Sequence, residues 1–350
     1  MSPLLDSLEL YNITDFENTV VGPFMATLSS SPQMLRRIII QNGQMSVDIF
    51  KKSFVRFKQL RSIELSNAVS MADFGLWEVL GTLPSLENLT LDDNNPPSDL
   101  VHAPENSDAS SQTGCSKYFV ALESLCVSGS FLIFQHLLSL IDSPCLKSIE
   151  VYQYTIRKYE DLTPSITIVA SKWSQSLKKL IMGAAFSEPC NAIPKYLMLL
   201  TDLHEMQTFE LLRWKMENID DDVRRLVMSW PKLRTLAVLP SDQASTISLS
   251  TLRIIAESCP ELRHLSIQLD ISTVPPFDIS SKSLAHKLEF LDVGDGHSYV
   301  TQTSLQIRMA RHLDSIFPYL KSIQMEPNTD ATWSGINDLV KLCQDLKRGQ

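Results

Sequence analysis

The sequence predicts an α/β fold in which one short unit, a strand followed by a helix, is repeated along the whole chain. Two observations predict it. Short runs of alternating apolar residues recur about every 29 residues, and amphipathic segments that often end near a proline separate these runs. Strands joined by helices run parallel, and helices on one side of such a sheet build a curved solenoid.

Each predicted strand has an apolar residue, two intervening residues, a second apolar residue, one intervening residue and a third apolar residue. This spacing gives a half-buried strand one inward and one outward row of side chains. Leucine, with 49 of the 350 residues, fills many inward positions. The predicted strand centres are Leu8, Ile38, Ile63, Leu89, Leu125, Ile149, Leu180, Phe209, Leu236, Leu265, Leu291 and Ile323. About twelve irregular repeats are therefore expected in a single domain spanning 1–350.

Proline marks the end of several predicted helices. Proline cannot continue a helix interior, and it biases the preceding residue toward an extended conformation. In five repeats it lies two residues before the first apolar residue of the next strand, at Pro84, Pro144, Pro231, Pro260 and Pro318. Each of these prolines therefore predicts a turn from a helix into the following strand.

The predicted strands and turns resemble the leucine-rich-repeat regions of F-box proteins, particularly irregular fungal ones of the ribonuclease-inhibitor-like type. The resemblance covers roughly residues 4–326, and the segments that carry it are LPSLENLTL, SPCLKSIEV, WPKLRTLAV and CPELRHLSI. It implies a horseshoe with a concave parallel sheet and helices on the convex side. The chain departs from the pattern at the polar residue after each strand, since Asn94 matches it but Asn12, Asn42 and Asn67 fall one residue early.

Two segments interrupt or close the predicted repeats. Residues 93–117 are rich in Pro, Ser, Asn and Asp, which bury too little apolar area to offset the entropy of ordering, so a disordered insertion loop is expected there. That loop is either a tolerated surface insertion or a partner-contacting or phosphorylated segment. Residues 331–347 predict a C-terminal capping helix. Its apolar residues at helical spacing are Trp333, Ile336, Leu339, Val340, Cys343 and Leu346.

The start of the chain predicts no cap of its own. The sequence opens directly inside a repeat, without the F-box that precedes the repeats in the family it resembles. We therefore expect another element, or a segment missing from this chain, to cover the N-terminal edge, because terminal repeats otherwise expose their core. Binding to a ubiquitin-ligase adaptor is expected only if an F-box precedes this chain.

Composition and charge exclude several classes of protein. The formal net charge of −9 argues against nucleic-acid binding, and the absence of a long apolar stretch argues against a membrane-spanning helix. The six cysteines form no Cys-x-x-Cys pair, and no secretory signal is visible, so reduced thiols in a cytoplasmic or nuclear protein are expected. The seven histidines show no metal-ligand spacing, so neither a metal nor a cofactor is expected.

One segment has the composition of a catalytic site. Asp292, Asp295, His297 and Ser298 stand close together after a predicted strand, where an Asp–His pair could perform acid/base catalysis. The same segment contains a Gly-Asp-Gly turn that the chain needs in order to leave the strand. We expect the structural role, and a hydrolase using the Asp292–His297 loop is the alternative.

The outward rows of the strands predict a protein-binding face. Of the charged residues at these positions, seven are acidic and two, Arg37 and Lys179, are basic. Outward apolar residues lie beside them, and exposed apolar groups with charge around them often mark a protein-binding surface. The candidate binding residues are Glu64, Asp92, Glu150, Tyr152, Ile181, Glu210, Leu212, Trp214, Leu239, Phe290 and Asp292.

Three functions remain open. The first is a non-enzymatic recognition module whose partner has a basic and apolar segment, as the resemblance to the substrate-binding part of a cullin-RING F-box subunit implies. The second is a free-standing scaffold or inhibitor unrelated to ubiquitin. The third is the hydrolase. An outward-facing sheet can also carry apolar residues with no binding role, because folded proteins expose many apolar atoms.

Overall fold

The structure, a computed structural model, describes residues 5–13, 15–30, 34–43, 47–68, 74–93, 117–155, 162–184, 194–214, 216, 218–241, 245–271, 274, 284–294, 302–324 and 331–348. The chain divides into two compact units, Met1–Ser176 (unit 1) and Leu177–Gln350 (unit 2). Parallel strands alternate with helices in both, and this confirms the predicted α/β fold of leucine-rich-repeat type.

Unit 1 contains six parallel strands that pair in chain order. They are β1 (Ser7–Tyr11), β2 (Arg37–Gln41), β3 (Ser62–Ser66), β4 (Asn88–Asp92), β5 (Ser124–Ser130) and β6 (Ser148–Thr155). Its helices are α1 (Asp15–Ser30), α2 (Val47–Phe54), α3 (Phe74–Gly81), α4 (Phe131–Leu140) and α5 (Leu162–Trp173).

Unit 2 also contains six main parallel strands. They pair in the order β7 (Lys179–Ala184), β8 (Thr208–Trp214), β9 (Thr235–Pro240), β11 (His264–Ile267), β13 (Phe290–Asp292) and β14 (Ser322–Gln324). A separate short parallel pair joins β10 (Ile247–Ser248) to β12 (Leu269–Asp270), which the repeat spacing did not predict. The helices are α6 (Pro194–Leu197), α7 (Ile219–Ser229), α8 (Leu249–Ser258), α9 (Thr303–Ile316) and α10 (Ala331–Arg348), and a 3-10 turn spans Met198–Asp202.

The predicted strand centres lie in strands and align with one another. In unit 1, Leu8, Ile38, Ile63, Leu89, Leu125 and Ile149 are register partners from strand to strand. In unit 2, Leu180, Phe209, Leu236, Leu265, Leu291 and Ile323 are aligned in the same way. From β2 onward these side chains are buried, and each contributes about 1.5–3 kcal/mol relative to an exposed position.

The turns into the strands are held by side chains that donate to carbonyl groups of the preceding repeat. In unit 1, the Trp173 indole Nε1–H donates to Ser143 O at 2.7 Å. In unit 2, Trp230 Nε1–H donates to Leu200 O at 3.2 Å, and the Cys259 thiol lies 3.5 Å from Trp230 O. A buried carbonyl without a donor costs about 1–3 kcal/mol, so these bonds stabilise the turns.

The asparagines that fall one residue early have a structural reason. Asn12, Asn42 and Asn67 follow β1, β2 and β3 and have φ values of 53°, 53° and 47°. Asparagine tolerates this left-handed region better than most residues. Their backbone N–H groups donate to the next strand, for example Asn42 N to Ser66 O at 2.8 Å. The asparagine stands one residue early because the chain turns there, directly after each of the first three strands of unit 1. Asn94, which matches the pattern, lies outside the described residues.

The first residue of the predicted insertion and the predicted cap lie in the described part of the chain. Asp93, the first residue of the predicted loop 93–117, is buried, and its N–H donates to Ser128 O at 2.9 Å. Residues 94–116 lie outside the described residues. The C-terminal helix is present as α10, with Trp333, Ile336 and Val340 buried, but Leu346 is 63% exposed. Its apolar stripe is thus narrower than the sequence predicts.

Candidate protein-binding faces

The outward rows of the strands carry the predicted binding residues. In β3 and β4 the second and fourth residues are buried, and the residues on either side of them are half-buried or exposed. This alternation follows from the pleat, which points successive side chains to opposite faces of a strand. We treat the outward rows of each unit as a separate face.

The outward rows of unit 1 are acidic. Four carboxylates, Glu9, Glu64, Asp92 and Glu150, and one cation, Arg37, stand on the six strands. We call these four carboxylates the acidic face. Three of the four, all except Glu9, are half-buried. They are candidate binding residues on strands β3, β4 and β6.

Side-chain hydrogen bonds orient the carboxylates of the acidic face. Gln41 Nε2 donates to Glu64 Oε1 at 2.8 Å, and the Arg37 guanidinium lies 3.7 Å from Glu64 Oε2. The Ser66 hydroxyl donates to Asp92 Oδ2 at 3.0 Å. Each bond runs between neighbouring strands, so the carboxylates are positioned by the sheet as well as by their own rotamers.

Tyrosines stand beside the outermost carboxylates of unit 1. The Tyr11 hydroxyl donates to Glu9 Oε2 at 2.7 Å, and this bond to a carboxylate raises the pKa of Tyr11. The Tyr152 hydroxyl lies at 3.5 Å from Glu150 Oε2 and is half-buried. Tyr11 is 53% exposed, and the candidate list from the sequence omits it. Its position two residues after Glu9 on the same face could have identified it.

The outward rows of unit 2 are less charged and more apolar. Among the described residues, Glu210 and Asp292 are the two carboxylates, and Lys179, at the first outward position of β7, is the cation. Glu326, the seventh acidic outward position of the sequence, lies outside the described residues. Leu212 and Leu239 are register partners on β8 and β9, and both are half-buried. These residues lie on the predicted face.

Phe290 belongs to an aromatic pair. Its ring stacks on the imidazole of His264, with the centroids 5.0 Å apart and an angle of 8° between the planes. His264 is exposed, and Phe290 is half-buried. His264 is not among the candidate residues predicted from the sequence. The signal was available, because His264 and Phe290 each directly precede a predicted strand centre.

The prediction that Trp214 contacts a partner is wrong. The register shifts between Leu212 and Trp214, where Arg213 is an extra residue with φ of 63°. A bulge of this kind reverses the alternation of side chains, so Trp214 turns inward and is 1% exposed. Its Nε1–H donates to Met182 O at 3.0 Å. Arg213 is the exposed residue at this end of β8.

Ile181 is also not a surface contact. It is 5% exposed, although it lies in an outward position of β7. Its register partner on β8 is Glu210, and Lys179 precedes it by two residues on the same face. An isoleucine between two longer side chains contributes little surface of its own.

The residues considered for metal binding and catalysis lie partly in the described part of the chain. Among the described residues, no group of three or more His, Cys, Asp or Glu side chains could hold a metal ion. Asp292 Oδ1 accepts the Gly294 N–H at 3.0 Å, which closes the turn that follows β13. Asp295, His297 and Ser298 lie outside the described residues. Burial raises the pKa of the Cys259 thiol to about 12, so this cysteine is a poor nucleophile.

Comparisons with known proteins give only distant likenesses. No family model matches the chain, and no curated protein matches it. It is similar to a chain in the crystal structure of the Rad7 and Elc1 complex in yeast, with 14% identity, a TM-score of 0.46, and coverage of 89% of this chain and 76% of that one. It is also similar to the leucine-rich repeat-containing protein LegL7 from Legionella pneumophila, with 11% identity, a TM-score of 0.42, and coverage of 95% and 89%. Likenesses of this size identify no partner and no activity.

In the described part of the chain, the helices are too short or too polar to span a bilayer.

Proposed function

We propose that this chain is a non-enzymatic protein-recognition module that binds extended segments rich in lysine or arginine on the outward rows of its strands. The observation that carries the proposal is the acidic face of unit 1. Glu9, Glu64 and Glu150 stand in one outward row of the six parallel strands, Asp92 stands in the next row, and Arg37 is the one cation of the outward rows. Such a charge pattern attracts basic segments and disfavours acidic ones.

The hydrogen bonds on the acidic face also support the proposal. A carboxylate held by a neighbouring side chain loses less rotamer entropy when it binds a cation than a mobile carboxylate does. Glu64 is held in this way by Gln41, and Asp92 by Ser66. The Glu64 side chain is 30% exposed, so its carboxylate can be reached from solvent although Arg37 lies 3.7 Å from Oε2.

A random-peptide library displayed on phage tests the proposal. The full chain is immobilised, bound peptides are sequenced, and their Lys and Arg content is compared with that of the unselected library. We expect basic residues to be enriched. The double substitution Glu64→Gln and Glu150→Gln reduces that enrichment, because the amides keep the size of the side chains and remove two charges.

Glu78→Gln is the matched control. Glu78 is an exposed carboxylate on helix α3 of the same unit, away from the strands. We expect this variant to select the same peptides as the wild-type chain. Equal enrichment with the wild type and the double variant, or no basic enrichment at all, contradicts the proposal.

The finer role that we propose is the substrate-binding part of an F-box subunit of a cullin-RING ubiquitin ligase, in the cytoplasm or the nucleus. It rests on the repeat segments that resemble F-box proteins. The test is to read the gene upstream of Met1 and to ask whether its full product co-precipitates with a ligase adaptor. An upstream F-box and a bound adaptor support the role. A confirmed start at Met1 without adaptor binding favours a free-standing scaffold or inhibitor.

A further inference from the structure

On the face of unit 2, two small residues lie side by side in one outward row. Ala237 on β9 and Ser266 on β11 are register partners. On either side of them in the same row stand Glu210 on β8 and Asp292 on β13. The two shortest side chains of this stretch therefore lie between two carboxylates.

Larger side chains border these two small residues, which we call the floor, along the strands. Leu239 follows Ala237 by two residues and leans toward β13, since its Cδ2 lies 3.3 Å from the position that a Cβ on Gly294 would take. The stacked rings of His264 and Phe290 precede Ser266 and Asp292 by two residues. We call Ala237 and Ser266, with these borders, the trough.

The carboxylates at its ends are spaced like residues i and i+4 of an extended chain. Glu210 and Asp292 are separated by three strand spacings, which is about 14 Å. In an extended segment, side chains on one face repeat every second residue, so residues i and i+4 are about 13 Å apart. The residue i+2 then lies midway, above Ala237 and Ser266.

We propose that the trough binds an extended segment that crosses the strands and carries lysine or arginine at positions i and i+4 with an aliphatic residue at i+2. The basic residues pair with Glu210 and Asp292, and the aliphatic residue sits on the small floor between Leu239 and the His264–Phe290 rings. The proposal rests on the proposed function and adds to it a sequence pattern for the partner. Charge complementarity at both ends and the apolar borders in the middle select this occupant.

Peptides of equal composition test the pattern. Three fluorescein-labelled peptides with two lysines, one leucine and two threonines are titrated with the full chain by fluorescence anisotropy. The first has the order Lys-Thr-Leu-Thr-Lys. In the second the two lysines are adjacent to each other, and in the third both lie on one side of the leucine. We expect the first to bind about tenfold more tightly, because only it reaches both carboxylates while its leucine lies on the floor.

Substitutions in the chain provide the second part of the binding test. Ala237→Phe fills the floor, and Glu210→Gln with Asp292→Asn removes both charges while Asn can still accept the Gly294 N–H. Ser266→Tyr fills the floor from the neighbouring strand, in case Ala237→Phe fails to fold. We expect each variant to lose about tenfold in affinity for the first peptide. Asp202→Asn, an exposed carboxylate of unit 2 outside the strands, is the control and retains full affinity.

The possible outcomes separate this inference from the proposed function. Equal affinity for the three peptides overturns the inference and leaves the charge-based function standing. Absence of binding by all three at about 1 mM also overturns it, whereas the library selection on Glu64 and Glu150 decides the proposed function independently. Tighter binding of the first peptide, lost in the trough variants and kept in Asp202→Asn, supports the inference.

Discussion

The two units bury alike rows of side chains and expose different ones. The inward rows are aliphatic in both, as in Ile63 and Leu65 of unit 1 and Leu236 and Val238 of unit 2, each at most 1% exposed. The outward rows of unit 1 join polar groups from strand to strand, for example Gln41 to Glu64 at 2.8 Å. The corresponding rows of unit 2 contain Ala237, Leu239 and the His264–Phe290 stack.

This difference separates the residues that specify the fold from those available for recognition. Burial of the inward rows drives folding, and it requires only aliphatic residues at the correct spacing. The outward rows are under no such constraint, so one unit can present carboxylates and the other apolar groups on the same backbone. A fold does not determine a function for this reason.

The largest expected effect comes from truncating an inward residue. Leu265 on β11 is 1% exposed, and Leu265→Ala should lower the free energy of unfolding by about 2–5 kcal/mol through lost burial and a residual cavity. Ser266→Ala, on the next residue and the outward row, should change it by about 0.5 kcal/mol or less. Urea denaturation followed by circular dichroism measures both. Similar losses for the two variants would contradict the division between inward and outward rows.

The spacing of the sequence predicts the inward rows well because burial acts on every repeat in the same way. All twelve predicted centres, from Leu8 to Ile323, lie in strands and in register within their unit. The outward rows are predicted less well, because one extra residue reverses the alternation. Arg213 is such a residue, and no pattern in its neighbours indicates the bulge that buries Trp214.

The sequence also did not predict how side chains on neighbouring strands contact each other. The alternation places Ile181 outward, but whether an outward residue is exposed depends on the lengths of its neighbours in the sheet, which are known only once the register is known. The stack of His264 on Phe290 is likewise a contact between residues 26 positions apart in the chain. Periodicity within one repeat does not reveal such a pair, which emerges only when the predicted strand centres Leu265 and Leu291 are aligned with each other.

The next largest effect on the free energy of unfolding is expected at two buried tryptophans, one in each unit. Trp230 Nε1–H donates to Leu200 O at 3.2 Å, whereas Trp77 Nε1 has no hydrogen-bond partner among the described residues. Trp230→Phe and Trp77→Phe remove similar volumes, but only the first removes a hydrogen bond. We expect Trp230→Phe to be more destabilising by about 1 kcal/mol in urea denaturation. Equal losses would mean that the turn bond in unit 2 contributes nothing.

A smaller effect depends on pH and should be concentrated in unit 2. Burial lowers the pKa of His286 and of His312 in unit 2, and that of His136 in unit 1. His286 Nε2 contacts Cys259 O at 2.8 Å, and its Nδ1 accepts the Leu288 N–H at 3.1 Å, so Nε2 carries the proton. A second proton on Nδ1 would break the bond from Leu288, and the nearby Arg263 charge also disfavours it.

The sign follows from proton binding. Because the folded pKa of His286 lies below the unfolded value of 6.5, the unfolded chain binds more protons in acid, and stability falls as the pH drops below about 6.5. Hydrogen exchange at pH 7.5 and pH 5, corrected for intrinsic rates, should show greater opening around β11 and β13 at pH 5. His286→Gln should reduce that difference. Unchanged protection at pH 5 in the wild-type chain would contradict the expectation.

The smallest effects are expected on the outward rows, and they test most directly whether those rows contribute to stability in either unit. Ser66→Ala in unit 1 removes the hydroxyl that donates to Asp92, but water can replace a partly exposed donor. Leu212→Ala in unit 2 removes a half-buried side chain whose loss leaves no enclosed cavity. Each should shift the free energy of unfolding by about 0.5 kcal/mol or less in urea denaturation. A loss of about 2 kcal/mol for either would show that its outward row helps to hold the fold, and that unit could then no longer vary its face without a cost in stability.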